Sequence, residues 1–205
     1  MNSMTTAARA LDPDVSHAVD VPADLWRLGV DQYHAMVEAG ILTTDDPVEF
    51  LDGYLVAKMP KNPSHTAATY LVRKALERLV PSGWLVHAQE PVTLASSEPE
   101  PDVLVVRGEP RHYLDRHPGP RDVAMVVEVA DASLRKDRGL KKRLYAEAGI
   151  ALYWVVNLVD RRLETYAEPS GSDYRQKQEY GPDDEVAVVV GGVEVGRVAV
   201  RDVLP

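Results

Sequence analysis

Val123-Ala124-Met125-Val126-Val127-Glu128-Val129-Ala130 is an almost unbroken apolar run with a single carboxylate in it. A valine-rich run of this length reads as a strand covered on both faces. Downstream, Ser133 or Asp137 opens a helical pattern that continues to about Ala148 and stops at Gly149. Ala151 to Leu158 is a further apolar strand, and Asp102 to Val106 is another upstream. Before that, Trp84 to Glu90 reads as extended, with Pro91 interrupting it. Ala68, Leu71, Val72, Ala75, Leu76 and Leu79 recur at helical spacing within 65–80. The order is helix 65–80, strands 84–90, 102–106 and 123–130, helix 137–148, strand 151–158. This αβββαβ order predicts an α/β (α+β) fold, with a mixed sheet flanked by helices.

Further out, Pro22 to Ala39 reads as a helix stopped by Gly40. Asp52-Gly53 between the short apolar runs 48–51 and 54–58 signals a hairpin, with Glu49 on its first arm. Ser64 is the expected N-cap of the 65–80 helix, and Pro81-Ser82-Gly83 its end. Residues 108–121 are Pro-rich and polar, with little regular structure expected. A hairpin is expected around Pro169-Ser170-Gly171, followed by short Val-rich C-terminal strands. Residues 1–20 read as a flexible polar tail and 21–205 as a single domain.

Composition narrows the function classes. The 205 residues include no cysteine, which excludes disulfides and thiolate metal sites and makes a reducing cytoplasm the expected location. No apolar run reaches the roughly 18 residues of a membrane span, so no membrane partner is expected. The net charge of −9 argues against coating nucleic acid by bulk electrostatics. A local basic cluster does exist: Arg135, Lys136, Arg138, Lys141, Lys142 and Arg143, opposed by Asp137.

Asp102 and Glu128 are the informative charges. A carboxylate within a buried strand is costly unless something binds it. Strand alternation puts Glu128 on one face with Val126 and Ala130. Two such acids on adjacent strands suit a hard divalent cation, Mg2+ or alternatively Mn2+, and the backbone carbonyl of Val129 is a further candidate ligand. On a regular helix with Asp137 at 0°, Leu140, Leu144, Tyr145 and Ala148 cluster near 0° and Lys141 falls at about 40°. Lys142 and Arg143 fall at about 140° and 240°, on the outer side. Lys141 is therefore the lysine expected to reach the carboxylates, and Asp137 shares its face. Phosphodiester hydrolysis needs a nucleophile, stabilisation of charge on the phosphate oxygens and help for the leaving oxygen, and two acids, a cation and a lysine can supply these.

These motifs resemble a known family. Pro101-Asp102, Glu128-Val129, Asp137-Arg138-Gly139-Leu140-Lys141, Tyr145-Ala146-Glu147-Ala148-Gly149-Ile150 and Tyr153-Trp154-Val155-Val156 look like the Uma2 family (DUF820), restriction-endonuclease-like proteins of the PD-(D/E)XK nuclease superfamily. Glu49-Phe50-Leu51-Asp52-Gly53 and Pro63-Ser64-His65 resemble the family's opening motifs, so the likeness spans roughly 30 to 205. The resemblance implies a nuclease core in which Asp102 and Glu128 bind the metal and Lys141 positions or activates water. It implies that Glu49 lies at the site as a ligand or support. His65 stands either as a cap-region histidine touching the core or as a phosphate contact or support. In the simplest superfamily pattern the lysine lies two residues after the second acid; here that position is Ala130, and Lys141 matches a migrated position on the next helix. Ala130-Asp131-Ala132-Ser133 also departs from the family's usual Leu-Ser-Pro-Ser, which affects a turn. Duplex DNA is the substrate the resemblance implies, and a homodimer follows by analogy. The alternative is a catalytically weak or inactive nucleic-acid or protein-binding module on the same fold.

Overall fold

The computed structural model describes residues 25–205; the expected tail and the first residues of the 22–39 helix lie outside the described residues. Helix α1 (Val30–Glu38) leads into a hairpin of β1 (Val48–Leu51) and β2 (Tyr54–Ala57). Residues 25–29 are not helical, so the expected long first helix is reduced to α1. It docks on the hairpin by stacking Tyr33 on Phe50, ring centroids 4.7 Å apart. Asp52 and Gly53 both take left-handed φ, +51° and +83°, as the two-residue turn between twisted strands requires.

Helix α2 (Pro63–Glu77) begins two residues earlier than expected, because Asn62 and not Ser64 caps it. The Asn62 side chain accepts the His65 amide at 2.9 Å, and Pro63 occupies a first-turn position where no N–H is needed. Six strands follow in one sheet, ordered as in the chain: β3 (Trp84–His87), β4 (Val103–Arg107), β5 (Val123–Ala130), β6 (Leu152–Asn157), β7 (Arg162–Ser170) and β8 (Asp173–Tyr180). β3 is shorter than the sequence suggested. Gln89 adopts φ +58° and turns its amide to the carbonyls of Pro101 and Asp102, which ends the ladder. All neighbours are antiparallel except β5 and β6, which are parallel because a helical crossover joins them. The sheet is mixed, as expected. Residues 108–121 contain one regular piece, a 3-10 turn at Pro110–Tyr113. β9 (Glu185–Val190) and β10 (Val193–Ala199) form the C-terminal hairpin.

The crossover is one helical segment in three pieces: α3 (Leu134–Lys136), a π-helical turn (Asp137–Lys141) and α4 (Lys142–Glu147). Gly149 ends it with φ +73°, where the Ile150 amide returns to the Tyr145 carbonyl at 3.0 Å.

Period-two alternation divides the core into two layers. Val103, Val105, Met125, Val127, Val129, Trp154 and Val156 face α2 and the C-terminal hairpin. Leu104, Val106, Val126, Ala130, Tyr153 and Val155 face α4 and Leu51 of β1. Asp102 is two residues before Leu104, and Glu128 lies between Val126 and Ala130. Both acids therefore continue the second layer, beneath the crossover helix.

Candidate active site

Asp102 immediately precedes β4, at the point where the ladder with β5 ends. The last paired residues are Val103 and Val127. Val129, two residues further along β5, thus has no β4 partner for its N–H, and the Asp102 Oδ2 accepts it at 2.9 Å. The carboxylate acts as a substitute strand. The Val129 carbonyl points to the same side as its amide, as in any strand. The cap of α2 sets His65 at the same place, with its Nε2 3.2 Å from Asp102 Oδ2.

Glu128 is 2% exposed. Its Oε1 accepts from the Lys141 ammonium at 2.9 Å and from the Tyr145 hydroxyl at 2.7 Å. The same ammonium lies 2.8 Å from Glu49 Oε1. Glu49 also accepts the Glu100 amide at 3.1 Å and the Lys136 ammonium at 3.1 Å. The β1–β2 hairpin that carries Glu49 is pinned in place. Asp52 takes Arg143 of α4 at 2.8 Å, and its amide donates to the Ser97 hydroxyl at 2.8 Å.

A π-turn carries two charged residues, four apart and both buried. The Lys142 amide reaches back five residues to the Asp137 carbonyl, so the turn is wider than an α-helical one. Asp137 and Lys141 are 1% and 4% exposed. The Tyr153 hydroxyl donates to the same Asp137 carbonyl at 3.0 Å. Arg138, within the turn, is gripped by the fully buried Glu164 of β7, its Nε at 3.0 and 3.1 Å from the two carboxylate oxygens.

The protonation pattern follows from burial set against pairing. Burial lowers the Lys141 pKa, but Glu128, Glu49 and Asp137 outweigh it and hold it above the ordinary lysine range. Lys141 is therefore an ammonium. Burial raises Glu49, but Lys141 and Lys136 outweigh that and hold it at about 2. Glu128 goes the other way: burial pushes it up to about 8, with Lys141 opposing and Asp137, Asp102 and Glu49 reinforcing. Burial also raises Asp137, against Lys141 and Ser133.

Glu49, His65, Asp102, Glu128, Asp137 and Lys141 line one cleft of about 80 Å³. Five of these six were singled out in the sequence as site residues. The Val129 side chain packs in the opposite layer, and its backbone amide is bound to Asp102. The sequence reading missed Lys136 and the Tyr145 hydroxyl. A regular wheel sends Lys136 outward, and only the arrival of β1 gives it a partner. The basic cluster is largely neutralised. Lys136, Arg138, Lys141, Lys142 and Arg143 are all engaged with carboxylates, which leaves only Arg135 of the six without an ion pair among the described residues.

Among the described residues, no three His, Asp or Glu side chains stand arranged to hold an ion by themselves. The donors are nevertheless of the right kind for Mg2+ or Mn2+. They are hard carboxylate oxygens, from six acids against four lysines in the lining, and Mg2+ typically takes one or two carboxylates and keeps its waters.

The family model for Uma2, described as "Putative restriction endonuclease", matches residues 30–199. This chain belongs to the Uma2 family. Every lining residue named above lies within the matched Uma2 segment. The crystal structure of a "putative nuclease belonging to DUF820" from Anabaena variabilis ATCC 29413 is similar to the Uma2 fold seen here. It has a TM-score of 0.62 and 15% identity, and the match covers 82% of this chain and 96% of that one. At that identity the likeness is one of fold. No curated protein matches the chain in sequence.

Proposed function

We propose that this chain is a metal-dependent endonuclease that hydrolyses phosphodiester bonds in DNA, with duplex as its substrate. The observation that carries this reading is the convergence of Asp102, Glu128 and Lys141 in one cleft, within a family described as restriction endonucleases. Asp102, Glu128 and the Val129 carbonyl are the groups that would hold Mg2+ or Mn2+. Such an ion, when bound, polarises the phosphate and acidifies water.

The protein's own groups have distinct tasks in this reading. Asp102 is oriented by the Val129 amide, with His65 Nε2 3.2 Å from the same oxygen, and the residue lines the cleft. Lys141, held between Glu128 and Glu49, positions water and offsets charge at the phosphate. Of the two roles the sequence left open for this lysine, positioning is the one we retain. Glu49 anchors Lys141 and Lys136 in their places. Lys61, exposed at the mouth of the cleft, contacts the substrate backbone.

We extend the reading to a homodimer, since two related sites suit the two strands of a duplex, and to a single domain over 21–205 in the cytoplasm. No helix among the described residues is long and apolar enough to cross a membrane. One observation favours a second reading, a binding module without catalysis. The chain carries −9, and most of its basic cluster is committed to internal pairs. Nicking of plasmid DNA in Mg2+, compared between wild type and Glu128→Ala, separates the two: only an enzyme loses a metal-dependent product on that substitution.

A further inference from the structure

Three buried side-chain atoms among the described residues lack a hydrogen-bond partner: His87 Nδ1, Trp154 Nε1 and Asp137 Oδ2. Only Asp137 is an acid, and only Asp137 lines the cleft. An unpaired buried carboxylate oxygen is among the costlier features a fold can carry.

Ser133 acts on the Asp137 carboxyl yet leaves Oδ2 without a partner, and the other neighbouring donors are engaged elsewhere. The Lys141 ammonium bonds to Glu49 and Glu128, Lys136 to Glu49, the Tyr145 hydroxyl to Glu128, and His65 to Asp102. Meanwhile the backbone of Asp137 is held firmly. Its carbonyl takes both the Lys142 amide across the π-turn and the Tyr153 hydroxyl. The next residue, Arg138, is gripped by Glu164. The fold fixes an acid in place and leaves its oxygen empty-handed, beside a cavity of about 80 Å³. That space exceeds the ~10–15 Å³ of such volume that one water requires, and admits an ion with several waters.

We propose that Asp137 is an outer ligand of the cation site, its Oδ2 accepting a hydrogen bond from a water carried by the divalent ion. This rests on the reading above that the cleft takes such an ion. Mg2+ releases its waters reluctantly, so carboxylates beyond the direct ligands commonly hold them. Groups of this kind influence metal affinity by about 10–100-fold.

The test is calorimetric titration of Mn2+ into metal-free wild type, Asp137→Asn, Asp102→Asn and Tyr153→Phe, with thermal melting of each in EDTA. Asp137→Asn is expected to weaken Mn2+ about 10–100-fold while melting in EDTA close to wild type, since the carboxylate oxygen it replaces has no hydrogen-bond partner to lose. Tyr153→Phe, which loosens the π-turn and leaves the carboxylate intact, is expected to bind Mn2+ within a few-fold of wild type. Wild-type affinity in Asp137→Asn, with binding lost in Asp102→Asn, overturns the role of Asp137 and leaves the cation site standing. Equal weakening in Tyr153→Phe and Asp137→Asn also overturns it, by making the effect one of backbone placement. Failure of wild type to bind Mn2+ overturns both the cation site and the role of Asp137.

Discussion

The Lys141 ammonium lies 2.9 Å from Glu128 Oε1, with both side chains removed from solvent, although they come from different elements and 13 residues separate them. A second carboxylate, Glu49, meets the same ammonium from a hairpin at the other end of the chain. One lysine thus holds two strands and a helix together at the candidate site. Removing it takes from the buried, ionised Glu49 one of its two cations, and a buried charge without its partner is far more costly than no charge at all. Lys141→Met is expected to cost about 3–5 kcal/mol in urea unfolding at neutral pH in EDTA. A loss below about 1 kcal/mol contradicts the buried pairing.

Glu49 makes stability depend on acid. Its folded pKa of about 2 lies below the ordinary value of 4.5. The stabilisation is therefore complete above about pH 4.5 and disappears as pH falls through about 2. The size is on the order of 3 kcal/mol. Glu49→Gln should be less stable than wild type by up to that amount at pH 7, and the gap should narrow steadily between about pH 5 and pH 2. Denaturant unfolding of both proteins across this range checks the sign. A gap that widens on acidification contradicts it.

Arg138 and Glu164 hold the π-turn from β7, on the face of the sheet that the crossover helix covers. Glu164 is fully buried and also accepts from Tyr166 and Asn157. Glu164→Ala should cost about 3 kcal/mol by leaving these donors unpaired. Arg73→Ala, which breaks an exposed i,i+4 pair with Glu77, should cost under about 0.5 kcal/mol. Comparable losses in the two variants contradict a structural role for the clamp.

Asn62 connects a helix start to the cleft. Its side chain accepts the His65 amide, and His65 faces Asp102. Asn62→Ala should lose about 0.5–2 kcal/mol of stability, and Asn62→Ser should retain most of it. If the serine variant is as unstable as the alanine one, the cap is not what Asn62 supplies.

Much of this arrangement was legible in the sequence, for identifiable reasons. β5 and β6 read correctly because nearly every residue in them is apolar, and a strand covered on both faces leaves that signature. Lys141 read correctly because α4 buries one stripe, and Leu144 and Tyr145 mark it. The π-turn was not legible, since nothing in Asp137-Arg138-Gly139-Leu140-Lys141 breaks a 3.6-residue pattern. Without it, the burial of Asp137 beside Lys141 had no measure. The partners of Arg138, Lys142 and Arg143 come from β7, the start of β8 and the β1–β2 turn. Pairings across such separations have no periodicity to show them, so a basic run looked free when it was neutralised. The cap moved from Ser64 to Asn62 because Pro63 is better suited to the first turn than to the residue before it.

Cleavage itself is the most direct test of the site. Supercoiled plasmid should be incubated with purified wild type, Asp102→Asn, Glu128→Ala and Lys141→Met in Mg2+, in Mn2+ and in EDTA, after melting curves establish which variants are folded. Nicking by wild type that requires the metal, and falls at least about 100-fold in each folded variant, is the expected result. Equal nicking by wild type and the folded variants, or nicking that persists in EDTA, contradicts the assignment of Asp102, Glu128 and Lys141 to metal-dependent hydrolysis.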